Sequence, residues 1–179
     1  MDYLSPKFFN RDSHSVAIDL IGQKLCRDYR GKVLKLTINE VEVYDGPDDQ
    51  ASHAHGMSGT SGRSQIMFGP AGIWYVYLCY GIHWMLNVVT REEGYPAALL
   101  IRGCSEVSGP GRLTKHLNIT SKLNGLPVDP ASKLWIERPE KNTFRKAEII
   151  KTPRIGVNYA GPHWAGLPYR YVVPTRKKK

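Results

Sequence analysis

Two glutamates and a tyrosine on one predicted strand are the first residues that could carry out chemistry. Glu40, Glu42 and Tyr44 alternate along this segment, and the alternation places them on the same face as Leu36 and Ile38. A carboxyl group at the edge of an apolar core tends to have a raised pKa, which suits a general base that works near neutral pH. Glutamates are also common on solvated strand edges, so the pattern by itself leaves both interpretations open.

The same part of the chain is rich in groups that could bind a metal. Five acids lie close together: Glu40, Glu42, Asp45, Asp48 and Asp49. Hard cations such as Mg²⁺ prefer oxygen ligands, so a metal-dependent nuclease is one hypothesis, and a solvated turn beside Pro47 is the other. His53 and His55 follow as an H-x-H pair, but no third ligand stands at a suitable spacing. The nuclease hypothesis would need a metal at the acids, whereas our main expectation is a protein with neither a bound metal nor a cofactor.

An aromatic run follows these acids. Five rings crowd into one short stretch: Trp74, Tyr75, Tyr77, Tyr80 and Trp84. Bases stack on aromatic rings with about 1–3 kcal/mol per base, and a ring at a hairpin tip could wedge into a base stack. Gly81 separates two segments rich in aromatic and β-branched residues, which predicts either a hairpin, with Tyr80 at its tip, or a sharply bent pair of strands. Packing in a hydrophobic core is the alternative for any single ring.

The other elements follow from apolar spacing and turn residues. Helices are predicted over 13–21 and 111–118, and strands over 24–28, 32–44, 73–80, 82–90, 97–102, 133–138, 147–151 and 168–173. A long loop without periodicity covers 52–65. We therefore predict an α+β fold: a single mixed domain over 1–174, with an antiparallel β-sheet core and flanking helices, and a flexible basic tail over 175–179.

Composition and charge narrow the class of protein. Of the 179 residues, 41% are hydrophobic and 23% are charged, which is ordinary for a globular protein. Residues 1–100 carry 9 Lys/Arg against 11 Asp/Glu, whereas residues 101–179 carry 16 against 5, and a basic surface suits a polyanion. The three cysteines form no CxxC pair, which argues against a disulfide framework or structural zinc and for a reducing compartment. We find neither a membrane-spanning apolar run nor a signal peptide.

Three segments of the chain form a specific combination. They are EVEVYDGPDDQASH at 40–53, then Met67-Phe68 with YVYLCYGIH at 75–83 and LNVV at 86–89, and finally LLIR at 99–102. Together they resemble the alkyladenine DNA glycosylase family, also called 3-methyladenine or methylpurine DNA glycosylases. The GPGRL turn at 109–113 is similar too, whereas Arg63-Ser64 departs from the Arg-Asn that the family often has there.

The resemblance implies excision of damaged purines by base flipping, with a protruding, DNA-inserting β-hairpin. Residue by residue, Glu42 matches the general base that activates the attacking water, and Arg102 matches a residue that helps to bind the flipped nucleotide and to position water. Glu40 matches a frequent family acid that is not the water activator. The other matches are Tyr80, which fills the gap left in the duplex, and the residues of the base pocket: Tyr44, His53, Tyr77, Asn87 and Leu100.

The resulting hypothesis is a monofunctional base-excision-repair glycosylase that hydrolyses the N-glycosidic bond and leaves an abasic site. Its expected substrates are 3-methyladenine and 7-methylguanine, with hypoxanthine and ethenoadenine as further candidates. No lysine lies in the matched pocket segments, so no Schiff base is expected. We expect a monomer whose partner is double-stranded DNA with a damaged purine and which does not associate with a membrane. The expected location is an intracellular compartment that contains DNA. The alternatives are a metal-dependent nuclease, a non-enzymatic nucleic-acid binding module and a basic RNA-associated protein.

Overall fold

An antiparallel sheet forms the centre of the molecule. The structure is a computed structural model that describes residues 2–57, 62–141 and 143–174. Within these residues the sheet has nine strands: β1 (Lys24–Tyr29), β2 (Lys32–Asp45), β3 (Trp74–Cys79), β4 (His83–Val89), β5 (Ala97–Cys104), β6 (Val107–Ser108), β7 (Leu134–Glu137), β8 (Ile150–Thr152) and β9 (Arg170–Val172). The main path runs β3-β4-β5-β2-β1-β7, with β6 on β5, β9 on β2 and β8 on β9. The predicted α+β class is confirmed, whereas the 175–179 tail and part of the 52–65 loop lie outside the described residues.

Short helices flank the sheet: α1 (Pro6–Phe9), α2 (Ser13–Leu20), α3 (Pro110–His116) and α4 (Gly161–Gly166). The Asp12 carboxylate accepts a hydrogen bond from the backbone N–H of Ser15 at 2.8 Å, which caps α2. The predicted strand over 147–151 is wrong in part, because Lys146–Glu148 forms a 3₁₀ turn and the strand begins at Ile150. Among the described residues, no helix is long and apolar enough to cross a membrane.

The main core fills the space between helices α2 and α3 and one face of the sheet. Trp74 lies in this core with no exposed surface, and its indole N–H donates to the backbone oxygen of Leu134 at 2.9 Å. Tyr75 is also buried, but in a second, smaller cluster with Met67 and Ala98. The aromatic run is therefore divided between core packing and the surface that carries the site described below.

Strand β2 changes face in its middle. Ile38 packs into the main core, and Val41, three residues later, packs into the same core. Regular alternation would put these two residues on opposite faces, but the register with β5 shifts on both sides of Glu40. Glu42 and Tyr44 consequently occupy the face opposite Ile38. The predicted continuity of one face from the apolar residues to the acids is wrong.

Strands β3 and β4 form the predicted hairpin, with pairing from Trp74 and Val88 at its base to Cys79 and His83 near its turn. Tyr80 has a φ of +50° and the following glycine a φ of +70°, as a tight hairpin turn with two left-handed central residues requires. The Tyr80 side chain is 88% exposed, so its ring projects into solvent. Insertion of this hairpin into DNA stays a prediction.

Candidate active site

A groove of about 460 Å³ opens on the sheet face that Glu42 occupies. Strands β2 to β5 supply one side of it, and Pro110, residues 52–53 and the segment 155–159 supply the rest. A narrower recess adjoins the groove, and the two share five lining residues: Tyr44, Ser52, His53, Tyr77 and Tyr159. The groove and recess together form a concave site with aromatic walls and one buried acid.

Glu42 lies at the floor of the groove, and its side chain has no exposed surface. Its Oε1 accepts the backbone N–H of Ile155 at 2.8 Å and lies 3.5 Å from Nη1 of Arg102. Its Oε2 accepts the hydroxyl of Tyr44 at 3.0 Å. Burial raises the pKa of Glu42 above its ordinary value, although these three partners act in the opposite direction. A carboxylate made more basic in this way can take a proton from water.

Arg102 is held beside Glu42 by a second acid. Glu40 Oε1 accepts the Nε–H of Arg102 at 3.0 Å and the Nε–H of Arg170, on β9, at 2.7 Å. All three side chains are largely buried. Glu40 therefore fixes a guanidinium at the groove wall and does not itself line the groove.

Aromatic rings form the wall between the groove and the recess. His53 Nδ1 lies 3.0 Å from the hydroxyl of Tyr75, and its ring stands edge-on to Tyr77 with 4.6 Å between centroids. The Tyr75 and Tyr77 ring centroids are 5.1 Å apart. Burial and the nearby Glu42 raise the pKa of Tyr44 well above its ordinary value, so this hydroxyl stays protonated. The site thus offers several ring faces within stacking reach of one another.

Two further predicted pocket residues line the site from the sheet. Asn87 lines the recess, is nearly fully buried, and its Nδ2 donates to the backbone oxygen of Tyr75 at 3.1 Å. Leu100 lines the groove and is also buried. Tyr80 lines the groove from the hairpin tip. The structure therefore brings all eight sequence-predicted residues to one site: Glu42, Arg102, Tyr44, His53, Tyr77, Asn87, Leu100 and Tyr80.

A buried ion pair lies behind Tyr44, and sequence reasoning missed it. Asp49 has no exposed surface, and its Oδ1 accepts Nη2 of Arg154 at 2.9 Å. The Arg154 guanidinium also donates to the backbone oxygen of Val43 at 2.9 Å and lies 4.8 Å from the centre of the Tyr44 ring. A solvated turn at Asp49 is therefore excluded. Because Asp49 and Arg154 are 105 residues apart in sequence, no local spacing of residues predicts that they form a pair.

The acids of the 40–49 segment do not converge on a common point. Asp45 accepts a hydrogen bond from Ser13 at 3.2 Å, Asp49 is bound by Arg154, and Asp48 is exposed. In the part of the chain that the structure describes, no three His, Cys, Asp or Glu side chains are grouped as metal ligands. The nuclease hypothesis thereby loses the observation that suggested it.

A protein family and many relatives match the chain over most of its length. The family model described as methylpurine-DNA glycosylase matches residues 7–108 and 105–177. The chain belongs to the methylpurine-DNA glycosylase family. Relatives include proteins from Nitrosococcus oceani (36% identical, covering 97% of this chain and 90% of the relative), Sodalis glossinidius (43%, covering 86% and 89%) and Psychrobacter cryohalolentis (38%, covering 88% and 86%). Each of the three is provisionally named a 3-methyladenine DNA glycosylase.

Membership of this family decides the class of the protein. It is a DNA glycosylase, a hydrolase of DNA repair, and DNA is its partner. The family favours this activity over the nuclease, the non-enzymatic module and the RNA-associated protein. The groove of this methylpurine-DNA glycosylase is accordingly a candidate site for a nucleotide, because aromatic walls and a buried acid suit a base and the bond that joins it to the sugar.

Three residues that line or support the groove of this methylpurine-DNA glycosylase were not predicted from the sequence. Tyr159 lines both the groove and the recess, and Ile155 supplies the backbone N–H that Glu42 accepts. Arg170 reaches Glu40 across the β2–β9 pairing. All three come from the last part of the chain. Nothing in their local sequence indicates that Ile155 bonds Glu42 or that Arg170 bonds Glu40, so only the fold reveals these contacts.

Proposed function

We propose that the protein removes alkylated purines from double-stranded DNA by base flipping and hydrolysis of the N-glycosidic bond. Its substrates are 3-methyladenine and 7-methylguanine, with hypoxanthine and ethenoadenine as further candidates. The observation that carries the proposal is Glu42, a fully buried carboxylate with a raised pKa at the floor of an aromatic-walled groove. The names of the relatives point to the same class of lesion.

Glu42 acts as the general base. It takes one proton from a water molecule while the water oxygen forms a bond to C1′ of the sugar. The bond between C1′ and the purine nitrogen breaks, and its electron pair leaves with the base. In a purine that methylation has made cationic, this electron pair neutralises the ring, so the leaving group needs little further help. Arg102, 3.5 Å from Glu42 Oε1, holds the carboxylate and the reacting water in place.

Aromatic rings select the damaged base. Tyr44, His53 and Tyr77 enclose it, and a cation over a tyrosine face gains about 0.5–2 kcal/mol, which favours charged lesions over normal purines. Asn87 and Leu100 limit the substituents that fit on the recess side. Because damaged bases also unpair more readily, extrusion adds to the discrimination.

Tyr80 takes the place of the extruded base in the duplex. Its side chain is 88% exposed at the tip of the β3–β4 hairpin, and it also lines the groove. An exposed ring at this position can enter the base stack next to the nucleotide that the groove accepts.

Residues 1–174 form the glycosylase domain in this proposal, 175–179 form a basic extension, and the protein acts as a monomer.

The reaction stops at the abasic site. The lining of the groove and the recess, as far as the structure describes it, contains no lysine. Cleavage of the strand through a Schiff base needs an amine nucleophile. Borohydride should therefore trap no covalent complex between the protein and abasic DNA.

The test is base release in EDTA from methylated DNA and from duplexes that carry one hypoxanthine or one ethenoadenine. Glu42→Gln fits the site, because an amide oxygen can accept from Ile155 and the amide nitrogen can donate to the Tyr44 hydroxyl. The wild type should release base, and Glu42→Gln should bind the same DNA without releasing it. Glu93→Gln, at an exposed position, is the matched control. Release by Glu42→Gln at the wild-type rate would refute the role of Glu42, and no release by the wild type from any substrate would refute the function.

A further inference from the structure

We propose that Tyr159 forms an additional aromatic wall of the base pocket and determines which bases are held there. The inference rests on the proposed function, because it concerns the same pocket. Tyr159 stands on the 3₁₀ turn Asn158–Ala160, within the range that the family model matches but outside the sequence motifs from which the pocket residues were predicted. It lines the groove and also the recess, together with Tyr44, His53 and Tyr77.

The ring of Tyr159 is held in place although it is open to solvent. Its side chain is 69% exposed. Its hydroxyl donates to the backbone oxygen of Ala51 at 2.8 Å, two residues before His53. The flanking residues Val157 and Ala160 are both buried, in a small cluster with Ala51. An exposed ring that is fixed at its hydroxyl and at its backbone offers a face to a ligand with little loss of side-chain freedom.

The position of Tyr159 connects the groove to the recess. Tyr80 borders the groove from the tip of the β3–β4 hairpin, and Tyr159 borders it from a 3₁₀ turn in the C-terminal part of the chain. Of these two exposed rings, only Tyr159 also borders the recess. A base that moves from the duplex toward Glu42 and the recess therefore passes the ring of Tyr159, whereas Tyr80 stays with the duplex. The contact belongs to the flipped base and not to undamaged DNA.

The chemistry of this wall is π stacking. Loss of one base–ring stack weakens binding by about 5- to 150-fold. A cationic methylated purine loses an additional cation–π attraction, so its affinity should fall by roughly 2- to 30-fold more than that of a neutral purine such as hypoxanthine. Tyr159→Leu keeps apolar bulk without a π face, and Tyr159→Phe keeps the ring without the hydroxyl.

The experiment measures binding in the Glu42→Gln background, where no base is released. The duplexes are undamaged DNA, DNA with one 7-methylguanine and DNA with one hypoxanthine. Tyr159→Leu should bind both lesion duplexes about 5- to 150-fold more weakly, with the larger loss of affinity for 7-methylguanine. Its affinity for the undamaged duplex should be unchanged. Tyr159→Phe should recover most of that loss. Tyr3→Leu, at an exposed tyrosine that lines neither cavity, is the control.

Each outcome decides the inference. Equal loss on undamaged and lesion duplexes would show a general DNA contact and overturn it, as would unchanged binding to all three. Thermal denaturation of every variant detects a misfolded loop. If Tyr159→Leu is destabilised, the affinity of Tyr159→Phe for the lesion duplexes decides the question. An affinity close to that of the Tyr159 protein supports the aromatic wall, and an affinity as low as that of Tyr159→Leu overturns it. Failure of the proposed function is seen separately, because in that case the wild type releases no base.

Discussion

The buried pair of Asp49 and Arg154 allows a stability prediction with a magnitude. Both side chains have no exposed surface, and Asp49 Oδ1 also accepts the backbone N–H of Ala51 at 3.0 Å. Asp49→Asn keeps the shape and one oxygen acceptor but removes the charge that compensates the guanidinium. Removal of one partner of a buried ion pair costs about 3–5 kcal/mol. For a chain of this size, that change lowers Tm by roughly 6–20 °C.

Thermal and urea denaturation of Asp49→Asn, Arg154→Met and the double variant measure this directly. The double variant leaves no unpaired charge in the core. Its loss in free energy of unfolding should therefore be smaller than the sum of the losses of the two single variants, by an interaction energy of about 0.5–3 kcal/mol. The comparison also isolates the pair from the other bonds that Arg154 makes to Val43 and Trp164. Strict additivity, or a Tm change of less than about 2 °C for Asp49→Asn, would refute the reasoning.

The remaining predictions concern Glu42 and the turn end of the β3–β4 hairpin. Burial raises the pKa of Glu42 in the folded protein, so its contribution to stability is fully present below its unfolded pKa and is lost as pH rises through its folded pKa. Glu42→Gln should therefore raise Tm at pH 7, by an amount that shrinks toward pH 4; a lower Tm at pH 7, or a gain that grows on acidification, would contradict this. A Cβ added at Gly111 would lie 2.9 Å from Cγ of His83, so Gly111→Ala should destabilise the protein by about 1–3 kcal/mol in urea denaturation. His83→Ala should relieve that loss, and an undiminished loss in the double variant would show that the clash is not its cause.

Local signals predicted the elements whose boundaries are fixed by nearby residues. The cap at Asp12 fixes the start of α2, and the glycines of the two tight turns separate the paired strands of each hairpin. The pairing of β9 with β2 and of β7 with β1 joins segments more than 100 residues apart. The local sequence of these strands does not indicate which strand each of them pairs with. The fold class was therefore predictable, whereas the order of strands in the sheet was not.

The candidate site divides in the same way. Glu42, Tyr44, His53 and Tyr77 lie in segments whose resemblance to the family is specific, and they meet in the structure. Their supports come from the far end of the chain: Ile155 bonds Glu42, and the arginine before it stacks on Tyr44. A backbone N–H that bonds a carboxylate carries no side-chain signature. Such partners become visible only when the loop is placed against the sheet.

The change of face in β2 explains why an acid can work at this position. With regular alternation Glu42 would point into the same apolar core as Ile38, away from the groove that it lines. The irregularity involves both strands: Cys104 and Ile101 of β5 pack into the main core, although they too are three residues apart, while Arg102 between them faces the groove. Because both strands change face together, the acid and the guanidinium arrive on the groove side as a pair. One local irregularity in the sheet thus places a carboxylate with a raised pKa at the groove instead of in the main core.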